Sequence, residues 1–260
     1  MSKPIIQSLW VGDKLSLIEQ LSIASFIRNG HEFHLYTYNK LSGVPDGVQL
    51  KDANEIIPHK QVLTFNKRSY AIFADWFRWT LLYREGNFWV DTDTICLKPF
   101  IFDENIIFGR ESVQTVATGV LGFPPNHELC RFMLNCCNNP NLFLPYDSWV
   151  KKMKKLTRTI LNRGRGHTGW GEAGGPRGFT KALKYFDLLD KAKPYTYFYP
   201  IHCLNWDAIF DETLAEDIEL FSNTYSIHLW NEVFRSNKGF DKNASFPKNS
   251  LFEQLKAKYL

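Results

Sequence analysis

Two hydrophobic periods alternate along the chain. Ile5 to Val11 is a short apolar-rich run that stops at Gly12-Asp13, the pattern of a buried strand, and Leu17, Leu21 and Ala24 then recur at helical spacing until Asn29-Gly30. Glu32 to Tyr38 has the aromatic and apolar content of a second strand, and Ser42 to Gly47, with Pro45, reads as a loop. A strand, a helix and a strand in succession imply a parallel sheet.

From Ser69 the pattern becomes helical again, with Ile72, Trp76, Trp79 and Tyr83 on one face and Gly86 where a C-terminal cap belongs. Phe88-Trp89-Val90 follows as a strand that runs into Asp91-Thr92-Asp93-Thr94 and resumes as Ile95-Cys96-Leu97. Further strands are expected within Ile106 to Phe123, a helix over His127 to Cys137, and another over Phe179 to Leu189. Tyr195 to Tyr199 reads as extended, and Tyr225 to Trp230 as a late strand followed by a polar, looser tail. The pattern predicts an α/β fold with a mixed, mainly parallel, Rossmann-like sheet flanked by helices. A single domain spans residues 1-260, with a core over about 4-235 and a tail over 236-260, and no repeat, low-complexity tract or linker interrupts it.

Composition narrows the class. The 260 residues are 44% hydrophobic and 15% aromatic, enough for one substantial core. No stretch reaches the roughly 20 apolar residues of a membrane span, and the N-terminus lacks the pattern of a signal peptide. The expectation is a cytoplasmic chain, at most peripheral at the inner face of the membrane. Five cysteines, an odd number with Cys136 and Cys137 adjacent, argue against a disulfide framework and offer no zinc spacing. The net charge of +4 is concentrated in Lys151 to Arg165, which holds seven basic residues and no acid.

Asp91 and Asp93 stand two apart at a strand end. If both remain extended, their carboxylates project from one face and present hard oxygen ligands to a cation. Magnesium or manganese takes such ligands and completes its shell with water and phosphate oxygens, which suits a nucleotide diphosphate. In open α/β sheets, ligands collect at the carboxyl ends of strands, where this element falls. An isolated D-x-D match is more often a polar turn, so its surroundings decide. Upstream, Asp75 and Arg78 share a helix face three residues apart. They make either a surface ion pair or a pair of groups for sugar hydroxyls and phosphate.

The segment Tyr70 to Phe100 resembles the DXD-containing sugar-binding region of the α-1,4-glycosyltransferase and mannosyltransferase-like (OCH-type) families, which are retaining enzymes of the GT-A fold. The resemblance rests on Asp75, Arg78, Gly86, Trp89, Asp91 and Asp93, with Asn87 standing where a second glycine is usual. Ile6 to Gly12 is similar to the family's opening strand, Ile227 to Asn231 to its closing strand, and Gly174-Gly175-Pro176 to a loop flanking the active site. The resemblance implies a GT-A-like domain that uses Mn2+ or Mg2+, held by Asp93 with Asp91 and His228, and a donor bound by Trp10, Asp75, Arg78, Trp89, Asp91, Gly175, Pro176 and Trp230. Asp91, Asp93 and Arg78 would carry catalysis by front-face attack, without a protein nucleophile. A UDP-sugar donor is favoured and GDP-mannose is its rival. The acceptor is expected to be a saccharide or lipid-linked saccharide of a capsule or lipopolysaccharide type.

Trp149, Met153, Leu156 and Ile160 lie near helical spacing, so a helix could turn them inward and its lysines outward. Such a face is either simply solvated or makes peripheral contact with acidic membrane or a lipid-linked diphosphate. No motif supports nucleic-acid binding. Gly164 to Gly178 reads as a flexible wall of the site, within which His167 and Glu172 are acceptor candidates or plain loop residues. Two rival functions stay open: a non-catalytic sugar-nucleotide-binding protein, and a toxin-like glycosyltransferase that acts on protein.

Overall fold

The first strand, β1 (Ile6–Trp10), is buried over most of its length, and its alternate residues enter different cores: Leu9 faces one side of the sheet and Ile6 the other. This is how a strand covered on both faces reads as one apolar run. In the computed structural model, which describes residues 3–64, 69–161, 172–214, 221–236 and 239–260, helix α1 (Leu17–Arg28) leads from β1 to β2 (Phe33–Thr37). The strand β3 (Val48–Asp52) follows at the sheet edge; its mixed, mostly exposed Val-Gln-Leu-Lys-Asp carries too little apolar signal to be read from sequence.

The central sheet has the order β3-β2-β1-β4-β7-β6, where β4 is Asn87–Val90, β6 Ile107–Arg110 and β7 Val116–Phe123. Strands β1 to β4 run parallel, and β7 lies antiparallel to both β4 and β6. The expected mixed, mainly parallel sheet flanked by helices is therefore present. On one face pack α2 (Ala71–Glu85), α3 (Glu128–Asn138) and α5 (Pro176–Tyr185), around Phe77, Trp79, Trp89, Leu121 and Phe179. A separate ribbon pairs β5 (Thr94–Cys96) with β8 (Ser226–His228) antiparallel, beneath α1.

Helix α2 ends at Gly86, whose φ of 64° makes a left-handed cap, and a side chain there would meet the Pro125 nitrogen at 2.5 Å. Asn87 also has a positive φ, 66°. Asparagine is among the few side-chain-bearing residues that accept this region, so the replacement of a second glycine is tolerated locally.

Two expectations are corrected. Tyr195 to Tyr199 is not extended: Pro194, with φ −55°, sets up the single helical turn α6 (Tyr195–Phe198), which buries Phe198 and Tyr199. The closing stretch is not loose either. Ser250 accepts a hydrogen bond from the Glu253 amide and opens α8 (Leu251–Tyr259), whose Phe252, Leu255 and Tyr259 are buried with Ile18, Leu21, Ile95 and Ile227. The polar positions around those three anchors hide them from a simple hydrophobicity reading. We predict that Phe252→Ala, which removes a fully buried ring, lowers unfolding free energy by about 3–5 kcal/mol in urea titration. Parent-like stability would mean that α8 does not pack in this way.

Candidate functional site

The site begins at the ends of β1 and β4. After Val90 the chain leaves the sheet in a turn, with the Thr94 amide donating to the Asp91 carbonyl at 3.1 Å, before β5 starts. Asp91 and Asp93 therefore do not converge by strand alternation, as an extended segment would bring them together. The turn and the pairing of β5 with β8 do so, because that pairing sets Thr94 opposite His228. His228 Nε2 lies 3.6 Å from Asp91 Oδ2 and 3.4 Å from Asp93 Oδ1. One ligand atom from each of the three residues falls within 4.8 Å of the others.

Arg78 organises the acidic side. From α2 its guanidinium donates to Asp75 at 2.6 Å and to Asp91 at 2.7 Å, while Trp89 Nε1 donates to the same Asp91 oxygen at 2.8 Å. The guanidinium carbon sits 5.0 Å from the centre of the Trp89 ring, within cation–π range. Arg78 is only 4% exposed, so it is no surface ion pair, and its Nε is buried without a hydrogen-bond partner. Trp89, also buried, reaches the site through Asp91 and Arg78 rather than by an exposed face. The Asp93 carboxylate accepts from the Asn231 amide at 2.6 Å.

Electrostatics follow from these contacts. Burial pushes Asp75 up to about 6, against the pull of Arg78. Burial also opposes the charge on Asp91, but Arg78, His228 and Trp89 outweigh it and hold its carboxyl below the usual range. Asp93 is raised, by burial and by Asp91, with His228 opposing. His228 is raised despite burial because Asp93 and Asp91 favour its imidazolium. The cluster thus sets three carboxylates, largely withdrawn from solvent, against one guanidinium and one imidazole, an environment that favours a cation.

The remaining sequence-derived residues surround this cluster. Trp10 ends β1, and its buried Nε1 has no hydrogen-bond partner. The Trp230 ring lies 4.6 Å from that of His228, and its Nε1 donates to the Ile201 carbonyl at 2.8 Å. Gly175 caps α5 and Pro176 is its first residue. The preceding Gly174 accepts from Trp79 Nε1 at 2.6 Å and abuts Asp75, since an added Cβ would sit 3.0 Å from the Asp75 Cβ. Glu172 pairs with Arg158 at 3.3 Å, whereas His167 lies outside the described residues.

Sequence reasoning missed four contributors. Gly119 on β7 leaves room for the cluster: a Cβ there would come within 3.1 Å of His228 Nε2 and 3.2 Å of Asp91 Oδ2. Glu111, raised by burial with His228 and His202 opposing, feels the cluster from the turn between β6 and β7. The Tyr199 ring stands 5.6 Å from His228. Lys242, in the stretch read as a tail, ion-pairs with the fully buried Glu19 and lies 5.8 Å from the Trp10 ring. None of these has a local motif; each arrives by long-range packing.

Residues 175–259 match the family model described as "Alpha 1,4-glycosyltransferase conserved region". The chain is 26% identical over 200 residues to lactosylceramide 4-alpha-galactosyltransferase of Mus musculus, an alignment that covers 72% of this chain and 47% of the relative. It is 23% identical over 201 residues to alpha-1,4-N-acetylglucosaminyltransferase of Homo sapiens, covering 72% of this chain and 49% of that one. The chain thus spans about half the length of these curated relatives, by the same shares of 47% and 49%. Among solved structures it is similar to the PaToxG glycosyltransferase, with a TM-score of 0.50, 16% identity, and coverage of 73% of this chain and 74% of that one. The matched family model, the relatives and the similar solved structure are all glycosyltransferases, and the fold of this chain is GT-A-like.

We predict that Arg78→Met, which strips the part-buried Asp75 and Asp91 of their shared cation, destabilises the fold by about 2–4 kcal/mol in chemical denaturation. No loss would mean that the two carboxylates do not depend on this guanidinium.

Proposed function

We propose that this chain is a metal-dependent, retaining glycosyltransferase that moves a hexose or N-acetylhexosamine from a nucleotide-sugar to a glycan acceptor. The observation that carries the reading is the convergence of Asp91, Asp93 and His228 beside the Asp75–Arg78 pair at the strand ends. The relatives' names, a galactosyl- and an N-acetylglucosaminyltransferase, support the sugar class. They favour a UDP-sugar over GDP-mannose.

The donor set fits a small divalent cation: two carboxylates and an imidazole, with Gly119 leaving space beside them. Asp93, Asp91 and His228 would hold it, and manganese is preferred to magnesium because one donor is nitrogen. When bound, the ion offsets the growing negative charge of the leaving diphosphate. Arg78 contributes a fixed positive charge at the same place and is already oriented by two carboxylates, so it needs no reorganisation as charge develops. Asp75, in the second turn of α2, would accept hydrogen bonds from sugar hydroxyls. Trp10, whose buried indole N–H has no hydrogen-bond partner, would lie on the nucleotide side. The work of the protein is to hold donor and acceptor in register.

In a nucleotide-release assay over a panel of sugar nucleotides, we expect one UDP-sugar to be hydrolysed with manganese and spared with chelator, and Asp93→Ala to lose about a hundredfold or more of the rate. Parent-like release by that variant overturns the metal assignment. Absence of both release and metal-dependent nucleotide binding in the parent favours the non-catalytic reading.

Because His228 keeps its proton to higher pH than an ordinary histidine, a cation must displace that proton to bind. Manganese affinity should therefore rise with pH through neutrality and level off above the folded pKa of His228, with net proton release in calorimetry. A pH-independent affinity would exclude His228 as a ligand.

A further inference from the structure

Of the basic stretch, the part up to Ile160 lies in α4 (Trp149–Ile160), and Arg163 and Arg165 lie outside the described residues; the faces of α4 are the reverse of those expected from its pattern. Lys155 is buried: it donates to the Leu142 carbonyl at 2.6 Å and pairs with the buried Asp147. Lys151 and Arg158, on the same side, turn toward Glu172. These contacts fix the basic side of the helix against the protein. The apolar side is left outward, with Trp149 and Ile160 each 74% exposed, Val150 60%, and Met153 and Leu156 about two-fifths. Leu161 just past the helix, and Phe143 on the loop that Lys155 ties down, are also exposed.

An apolar stripe of this length is unusual on a lone soluble surface and normally marks a docking site. Its borders identify the occupant. At 3.6 residues per turn, Lys152 and Lys154 fall on opposite edges of the stripe, where their stems can lie along it and their ammonium groups reach outward. No acidic residue occurs in α4. Apolar side chains in the middle, a tryptophan at one end and lysines at both margins match the boundary between acyl chains and anionic headgroups. No helix among the described residues is long and apolar enough to cross a membrane, so contact would be interfacial.

We propose that α4 docks this chain on an anionic lipid bilayer, with Trp149, Val150, Met153, Leu156 and Ile160 entering the headgroup boundary and Lys152 and Lys154 meeting lipid phosphates. The helix is coupled to the site described above. Arg158 and Lys151 hold Glu172, and two residues later Gly174 packs on Asp75. Docking therefore seats the bilayer against an element that is ion-paired to the wall of the site. This goes beyond the transferase reading and stands without it.

The test is flotation of the intact protein, without nucleotide, with phosphatidylcholine vesicles that contain or lack phosphatidylglycerol. Flotation is expected with the anionic vesicles. Trp149→Ser with Ile160→Ser should weaken it by about tenfold or more, since each removes a large apolar side chain from the interface. Lys152→Gln and Lys154→Gln should each weaken it about fivefold. All four positions lie on the outer side, so circular dichroism and donor hydrolysis in solution should stay parent-like. Lipids brominated in their acyl chains should quench parent tryptophan fluorescence more than that of Trp149→Phe. A parent protein that stays unbound, apolar variants that float like the parent, or a dimer in sedimentation that dissociates on Trp149→Ser would each overturn the proposal, the last by assigning the face to a second copy. Failure here leaves the donor assay untouched, and failure of that assay leaves flotation untouched.

Discussion

One buried guanidinium sets the geometry on which the site depends. Arg78 joins a carboxylate on its own helix to one beyond the end of the next strand, with the Trp89 ring 5.0 Å away. Burying such charges is expensive unless each finds a partner, and removing one partner strands the rest. The helix and strand can therefore meet in few ways. The left-handed pair Gly86 and Asn87 supplies the sharp turn that the arrangement needs, and Gly86 leaves the space that Pro125 occupies. Backbone chirality and buried charge agree at this corner.

The second half of the site arrives from far along the chain. The β5–β8 pairing sets His228 opposite Thr94, and the turn after β8 directs the Asn231 amide at Asp93. Trp230 takes a φ of 61° to make that turn, a conformation bulky residues adopt only when their surroundings hold them there. Its ring is held by the Ile201 carbonyl and by packing on His228 and Tyr199. A strained residue next to two prospective metal ligands is what a site fixed before its ligand arrives would contain.

What could be read from sequence divides along the same line. Asp75, Arg78, Gly86, Asp91 and Asp93 are near neighbours whose relation follows from helix periodicity and a cap, so they were legible together. His228 and Trp230 were reached only by resemblance, because nothing local ties them to Asp93. Gly119 was illegible as a site residue, since its role is the absence of a side chain opposite His228 of β8 and Asp91 just past β4. The stripe on α4 was legible but its direction was not. A helical pattern separates two faces without saying which one turns inward, and here Asp147 and Glu172 decide by pairing with the lysine and arginine side.

The stretch after Trp230 changes the picture most. Its α8 closes the cluster around Ile18, Ile95 and Ile227, and so clamps α1 to the β5–β8 ribbon. Lys242 adds a polar link: it neutralises Glu19, which also accepts from the Ser16 amide and hydroxyl and from the Asn231 side chain, while the Asn231 amide holds Asp93. A chain of contacts thus runs from the C-terminal segment to a prospective metal ligand. The region matched by the α-1,4-glycosyltransferase model, residues 175–259, takes in this segment but not Asp91 or Asp93. The acidic pair supplies charge, and the later region supplies the imidazole, the amide and the packing that hold it. Neither half makes the site alone, so the convergence of Asp91, Asp93 and His228 is a property of the folded chain rather than of the three-residue motif.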